Sequence, residues 1–190
     1  MDALLSRLRE RISREQYLTD LGDITLTTAY PPVSARDITE AERQLGFPLP
    51  SLLRRIYCEI ANGGIGPGYG LLGIADGARD DLGHTLVELY QLYHQPDPDD
   101  PQWAWPDALV PICHWGCAIY SCIDCRSADA PVLIFDPNGH VDGSGWADAF
   151  LPHSTSLVEW MSLWLDGINL WSLVYGTPES TKPSVKQAPS

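Results

Sequence analysis

Basic charge is what this sequence has least of. Its 190 residues carry 12 Lys and Arg against 25 Asp and Glu, a formal net charge of −13, and the only lysines are Lys182 and Lys186 near the end of the chain. Binding nucleic acid by phosphate neutralisation needs Lys and Arg gathered on one face, so that class is excluded. An anionic bilayer is an equally poor partner. Long apolar runs are missing too, since no segment reaches the roughly 18 uninterrupted apolar residues of a membrane span. The first residues, among them Asp2, Arg7, Arg9, Glu10, Arg11 and Arg14, hold no apolar stretch of a secretory signal. This predicts a cytoplasmic protein whose five cysteines stay reduced. HExxH, GxSxG and GxxxxGK[ST] are all absent.

What is present is an ordinary globular composition, 44% hydrophobic and 19% charged, which fits one domain with a sizeable core. The acidity is concentrated. Asp76 to Asp107 carries eight acids and one Arg, Asp124 to Asp166 carries seven acids and one Arg, and the rest of the chain is neutral. A solvated acidic surface is the simpler meaning of such runs. The sharper one is a field that attracts a basic partner and speeds its encounter.

Apolar residues at helical spacing predict helices over about residues 2 to 19, Asp37 to Leu45 with Ser34 or Asp37 as cap, Pro50 to Ile60, and Asp81 to Gln95. Asp23 to Ala35, with Pro31-Pro32, is an extended connection. Leu71 to Ile74 is the expected first strand. Leu109 to Trp115, Ala118 to Ile123 and Pro131 to Phe135 are expected to follow as antiparallel strands. Asn138-Gly139 signals a two-residue hairpin that would face Phe135 with Val141. Ser154 is expected to cap one long last helix carrying Leu157, Trp160, Met161, Trp164 and Leu165, and the polar tail from Pro178 is expected to be disordered. The division expected is a helical extension over 1–22, a domain over 23–176 and a tail over 177–190.

Cys113, Cys117, Cys122 and Cys125 place four thiols within thirteen residues. Tetrahedral zinc needs four converging ligands, and only Cys122 to Cys125 has knuckle spacing. Buried strand thiols are the preferred reading, with zinc and a redox pair as alternatives, and no metal or cofactor is expected. On extended strands Cys113 and Cys117 would share a face, and His114 would point away from Cys113, against a Cys-His dyad. Gly68-Tyr69-Gly70-Leu71-Leu72-Gly73 matches GxGxxG but follows a helix and opens a strand, the reverse of the dinucleotide context. Asp136, Asn138 and Asp142 around Gly139 resemble a calcium loop without its closing Glu. Of the seven tryptophans, Trp103 and Trp105 stand apart because they follow the loop Pro96-Asp97-Pro98-Asp99-Asp100-Pro101. Aromatic anchors beside acids compose an interface centre, although a loop clamped to its own core by Trp is as common.

Ile38-Thr39-Glu40-Ala41-Glu42-Arg43-Gln44-Leu45-Gly46-Phe47-Pro48-Leu49-Pro50, then Leu52-Leu53 and Ile60-Ala61-Asn62-Gly63-Gly64, resembles the opening signature of the SUKH superfamily, the Smi/Knr-like domains. Leu109-Val110-Pro111-Ile112, Gly116, Ile119 to Asp124, Pro131-Val132 and Ser156-Leu157-Val158-Glu159-Trp160-Met161 are similar to its later strands and final helix. The likeness spans about residues 37 to 166. It implies a single α+β domain, with a mostly antiparallel sheet packed with helices and no catalysis. Bacterial members resemble immunity proteins that neutralise a toxin of a polymorphic or contact-dependent system, commonly a nuclease or deaminase. Fungal relatives are regulatory interaction hubs, which gives the alternative of a scaffold without a toxin. Under the first reading Asp97, Asp99, Asp100 and Asp107 are the expected contacts and Trp103 or Trp105 the anchor for a basic toxin.

Overall fold

The computed structural model describes residues 1–13, 29–141, 143 and 145–176. The chain begins with α1 (Asp2–Ser13), whose Leu4, Leu5 and Leu8 are buried at the expected spacing. The rest of the helix expected over 2 to 19 lies outside the described residues, as do residues 23–28 of the extended connection and the C-terminal tail. α2 (Ala35–Leu45) starts in a capping box, where the Ser34 hydroxyl accepts from the Asp37 amide and the Asp37 carboxylate takes the Ser34 amide. Gly46 closes α2 in the left-handed conformation. α3 (Ser51–Glu59) buries Leu52, Leu53, Ile56 and Tyr57.

A buried asparagine organises the segment after α3. The Asn62 side chain takes the Ile74 amide at 2.9 Å and donates to the Ile74 carbonyl at 2.7 Å. Backbone packs so tightly around this clamp that a Cβ on Gly77 would lie 2.5 Å from the Asn62 amide, and one on Gly63 2.5 Å from the Leu71 carbonyl oxygen. The expected first strand does not form. Leu71 makes one isolated bridge to Cys113, with Tyr69 and Leu72 amides donating to the His114 and Ile112 carbonyls. The glycines let this stretch follow the sheet edge without becoming a regular strand.

The helix expected from Asp81 is α4 (Leu86–Tyr93). Asp80 Oδ1 accepts the amides of Leu82 and His84 and holds 80–84 in a turn, and Thr85 with Glu88 then forms a second capping box. The sheet is an antiparallel meander, β1 (Leu109–Gly116), β2 (Ile119–Asp124), β3 (Val132–Phe135) and β4 (Phe150–Ser154), in that spatial order. Between β1 and β2 lie Cys117 and Ala118, both left-handed at φ 51° and 60°, the geometry of a type I′ turn without its usual Asn-Gly signature. Cys117 is therefore in a turn and not on the strand.

Asn138-Gly139 is not a hairpin. It sits in a short 3₁₀ turn, Pro137–Gly139, at the start of an excursion after β3, and the chain returns through a second 3₁₀ turn into β4. Phe135 faces Phe150, while Val141 is exposed. The last helix is two helices. Ser156, not Ser154, caps α5 (Leu157–Leu165), and Gly167 in the left-handed region separates it from α6 (Leu170–Tyr175).

β1 and β2 are buried almost throughout instead of alternating, because both faces of the sheet are covered. On one face Tyr120 meets Tyr93 of α4 and donates its hydroxyl to Asp80. On the other, His153 of β4 accepts from Trp160 of α5 and lies beside the Ser121 hydroxyl. α1 packs against α5, and Leu5 and Leu8 belong to the same apolar cluster as the sheet.

Candidate interaction surface

The loop between α4 and β1 is built by its own acids. Asp97 Oδ1 accepts the Asp99 amide and Asp100 Oδ1 accepts the Gln102 amide, both at 2.9 Å. Asp100 Oδ2 also takes the Trp146 indole N–H at 2.6 Å. That bond and the Gln102 amide hold the Asp100 carboxyl below its ordinary range. Asp100 is thus half-buried and structural, whereas Asp97, Asp99 and Asp107 are exposed. Asp107, 96% exposed at its side chain, lies 3.8 Å from His94 Nε2.

The two tryptophans fasten this loop inward. Trp103 donates to the Tyr93 carbonyl at 2.9 Å and meets Trp146 edge to face. Trp105 donates to the Leu109 carbonyl at 2.6 Å, stacks on Tyr93 and meets Phe135 and Phe150 edge-on. Trp105 is a buried core residue and offers no ring to a partner, which corrects its expected use as an anchor. Trp103 is half-buried.

The four clustered thiols do not converge. Cys113 and Cys122 are buried, Cys117 is exposed in its turn and Cys125 is partly covered. Cys113 donates to the Pro67 carbonyl at 3.1 Å and more distantly to the His114 backbone carbonyl at 3.8 Å. Burial pushes the Cys125 thiol up to about 12 and the Cys122 thiol well above its usual value, so neither is a ready thiolate. Among the described residues no group of three or more His, Cys, Asp or Glu could hold a metal ion, and no helix is long and apolar enough to cross a membrane.

At the other end of α4 lies a cavity of about 400 Å³ that the sequence reading missed. Tyr69, Leu71, Asp80, Asp81, His114 and Gly116 are among its walls. The discounted GxGxxG match supplies one wall through Tyr69, Gly70, Leu71 and Leu72, and a Cβ on Gly70 would lie 2.9 Å from the Gly64 backbone. The Asp80 side chain is fully buried. Burial pushes its carboxyl up, but the His84 amide, the Tyr120 hydroxyl and the His84 ring outweigh burial and hold it below the ordinary value. His114 is 5% exposed, with its ring beside those of Tyr69 and Tyr120 at 5.4 and 5.0 Å. Burial lowers its pKa against the opposing pull of Asp81 and Asp80. Only His114 on β1 and the adjacent Asp80-Asp81 were signals here, and they lie more than thirty residues apart in the sequence.

No curated protein matches the chain. A family model, the SMI1/KNR4 family (SUKH-1), matches residues 32–161. That span opens just before α2 and closes within α5, taking in the Asn62 clamp, the acidic loop and the whole sheet. The chain belongs to the SMI1/KNR4 (SUKH-1) family.

Proposed function

We propose that this chain is an immunity-type protein, non-enzymatic, that binds and neutralises a basic toxin of a polymorphic or contact-dependent system, such as a nuclease or deaminase. The observation that carries this reading is the confinement of the whole net charge to Asp76–Asp166, with Asp81, Asp97, Asp99 and Asp107 exposed there. Family membership is consistent with it. Blocking a toxin's active cleft asks no chemistry of the inhibitor, only complementary shape and charge.

Co-expression with a toxin encoded beside it tests the proposal. Rescue of growth is expected, and failure to rescue rejects it. A pull-down that instead returns housekeeping proteins would favour a regulatory scaffold. The association rate with the toxin should fall by about tenfold between low and high salt. A rate unchanged by salt would reject electrostatic steering even if binding survived.

A further inference from the structure

Among the described residues, no Arg or Lys pairs with the two carboxylates of this cavity. Asp80 takes its hydrogen bonds from the Leu82 and His84 amides and the Tyr120 hydroxyl, and its Oδ2 lies 3.3 Å from His84 Nδ1. Asp81 stands at the mouth with 61% of its side chain exposed. Arg79 also lines the cavity, but its guanidinium is used on the Gly83 and Ala75 carbonyls and the Glu88 carboxylate. A second feature is independent of these acids. His114 Nε2 has no hydrogen-bond partner among the described residues, although the residue is 95% buried, and it lies 3.6 Å from Asp81 Oδ1. A buried polar atom left unsatisfied is costly, and a bound group that completes it removes that penalty.

Tyr69 on the cavity wall is 48% exposed with its ring beside His114, and tyrosine is among the residues enriched at binding hot spots. We propose that this cavity receives one arginine side chain from a basic partner, its guanidinium paired with Asp81, donating to His114 Nε2 and lying against the Tyr69 ring. Burial lowers the His114 pKa and so favours the neutral ring, whose Nδ1–H tautomer offers Nε2 as an acceptor. A planar fork of donors can serve a carboxylate and a ring nitrogen together while its face lies on an aromatic, which an ammonium does less well. An anion would meet Asp80 and Asp81 unfavourably.

The inference rests on the reading above only in taking the partner to be a basic protein. The test needs no toxin. The full chain is titrated with Nα-acetyl-arginine methylamide while the His114 ring resonances are followed by NMR, with the uncharged Nα-acetyl-citrulline methylamide as control. Saturable shifts at His114 are expected with the arginine compound, and affinity at least about tenfold weaker for citrulline and for Asp81→Asn. Because Asp81 is exposed, that variant keeps the fold, and Tyr69→Leu provides a second one. Equal responses to both compounds, shifts elsewhere, or no saturable shift overturn the cavity proposal. Arginine binding without toxin rescue rejects the immunity reading alone. Rescue without arginine binding rejects the cavity alone.

Discussion

Asn62 does with one side chain what a short strand would do with its backbone, satisfying both polar groups of Ile74 from twelve residues away. Asn62→Ala should lower stability by about 3 kcal/mol, since it strands a buried amide and a buried carbonyl, and urea unfolding measures this. Gly77→Ala should be at least as harmful, because its Cβ would lie 2.5 Å from that same amide group. The sequence showed Asn62-Gly63-Gly64 as part of a family-like signature, and Gly63 and Gly64 there have φ of 84° and 77°. It could not show the partners downstream, which tertiary contact alone supplies. The acidic loop divides in the same way. Asp100→Ala should lower the unfolding midpoint by freeing Trp146. Neutralising Asp97, Asp99 and Asp107 together should leave the midpoint unchanged and weaken partner binding. A triple variant that binds its partner as before would remove these acids from the contact surface.

Helices were the more legible elements, because three-and-four spacing and caps are local. Ser34 with Asp37 and Thr85 with Glu88 both stand at capping-box spacing. The start of α4 was read too early only because Asp80 holds 80–84 in a turn. Strands depend on distant partners. β4 went unread because Phe150-Leu151-Pro152-His153-Ser154 has no clean alternation and pairs with β3 only across the excursion that follows Phe135. The helix ahead of the family match is part of the core. Arg11 lies over the Trp164 ring at 4.2 Å, and Leu8 is fully buried. Leu8→Ala should therefore destabilise the whole domain by about 3 kcal/mol in a single transition. Fluorescence and far-ultraviolet dichroism should unfold together; an early transition confined to one probe would show α1 to be separable.

The molecule as a whole is a sheet enclosed on both faces, and its stability should respond to pH through the residues that fill one of them. Burial lowers the His153 pKa to about 4, against an opposing hydrogen bond to the Leu170 carbonyl. The unfolded chain, with an ordinary histidine near 6.5, takes the proton first as the pH falls. Stability is then greatest above the unfolded value and declines toward about 4, by about 2 kcal/mol between pH 8 and pH 5. His114, also lowered, acts in the same direction. Asp80 and Asp100, held below their ordinary values, lose their contributions only at more acidic pH. Urea unfolding across this window should show a shallower slope for His153→Gln than for the native chain.

The two borders of the sheet are both poor templates for a visiting strand. Along β1 the amides of Tyr69 and Leu72 already occupy the His114 and Ile112 carbonyls, and Pro152 leaves β4 without one of the amides that a ladder needs. Backbone pairing is largely indifferent to sequence, so its loss hands recognition to side chains. Under the proposed function, a surface read in that way could be rewritten at Asp81, Asp97 or Asp99 to suit another partner, while the ladders beneath keep their register.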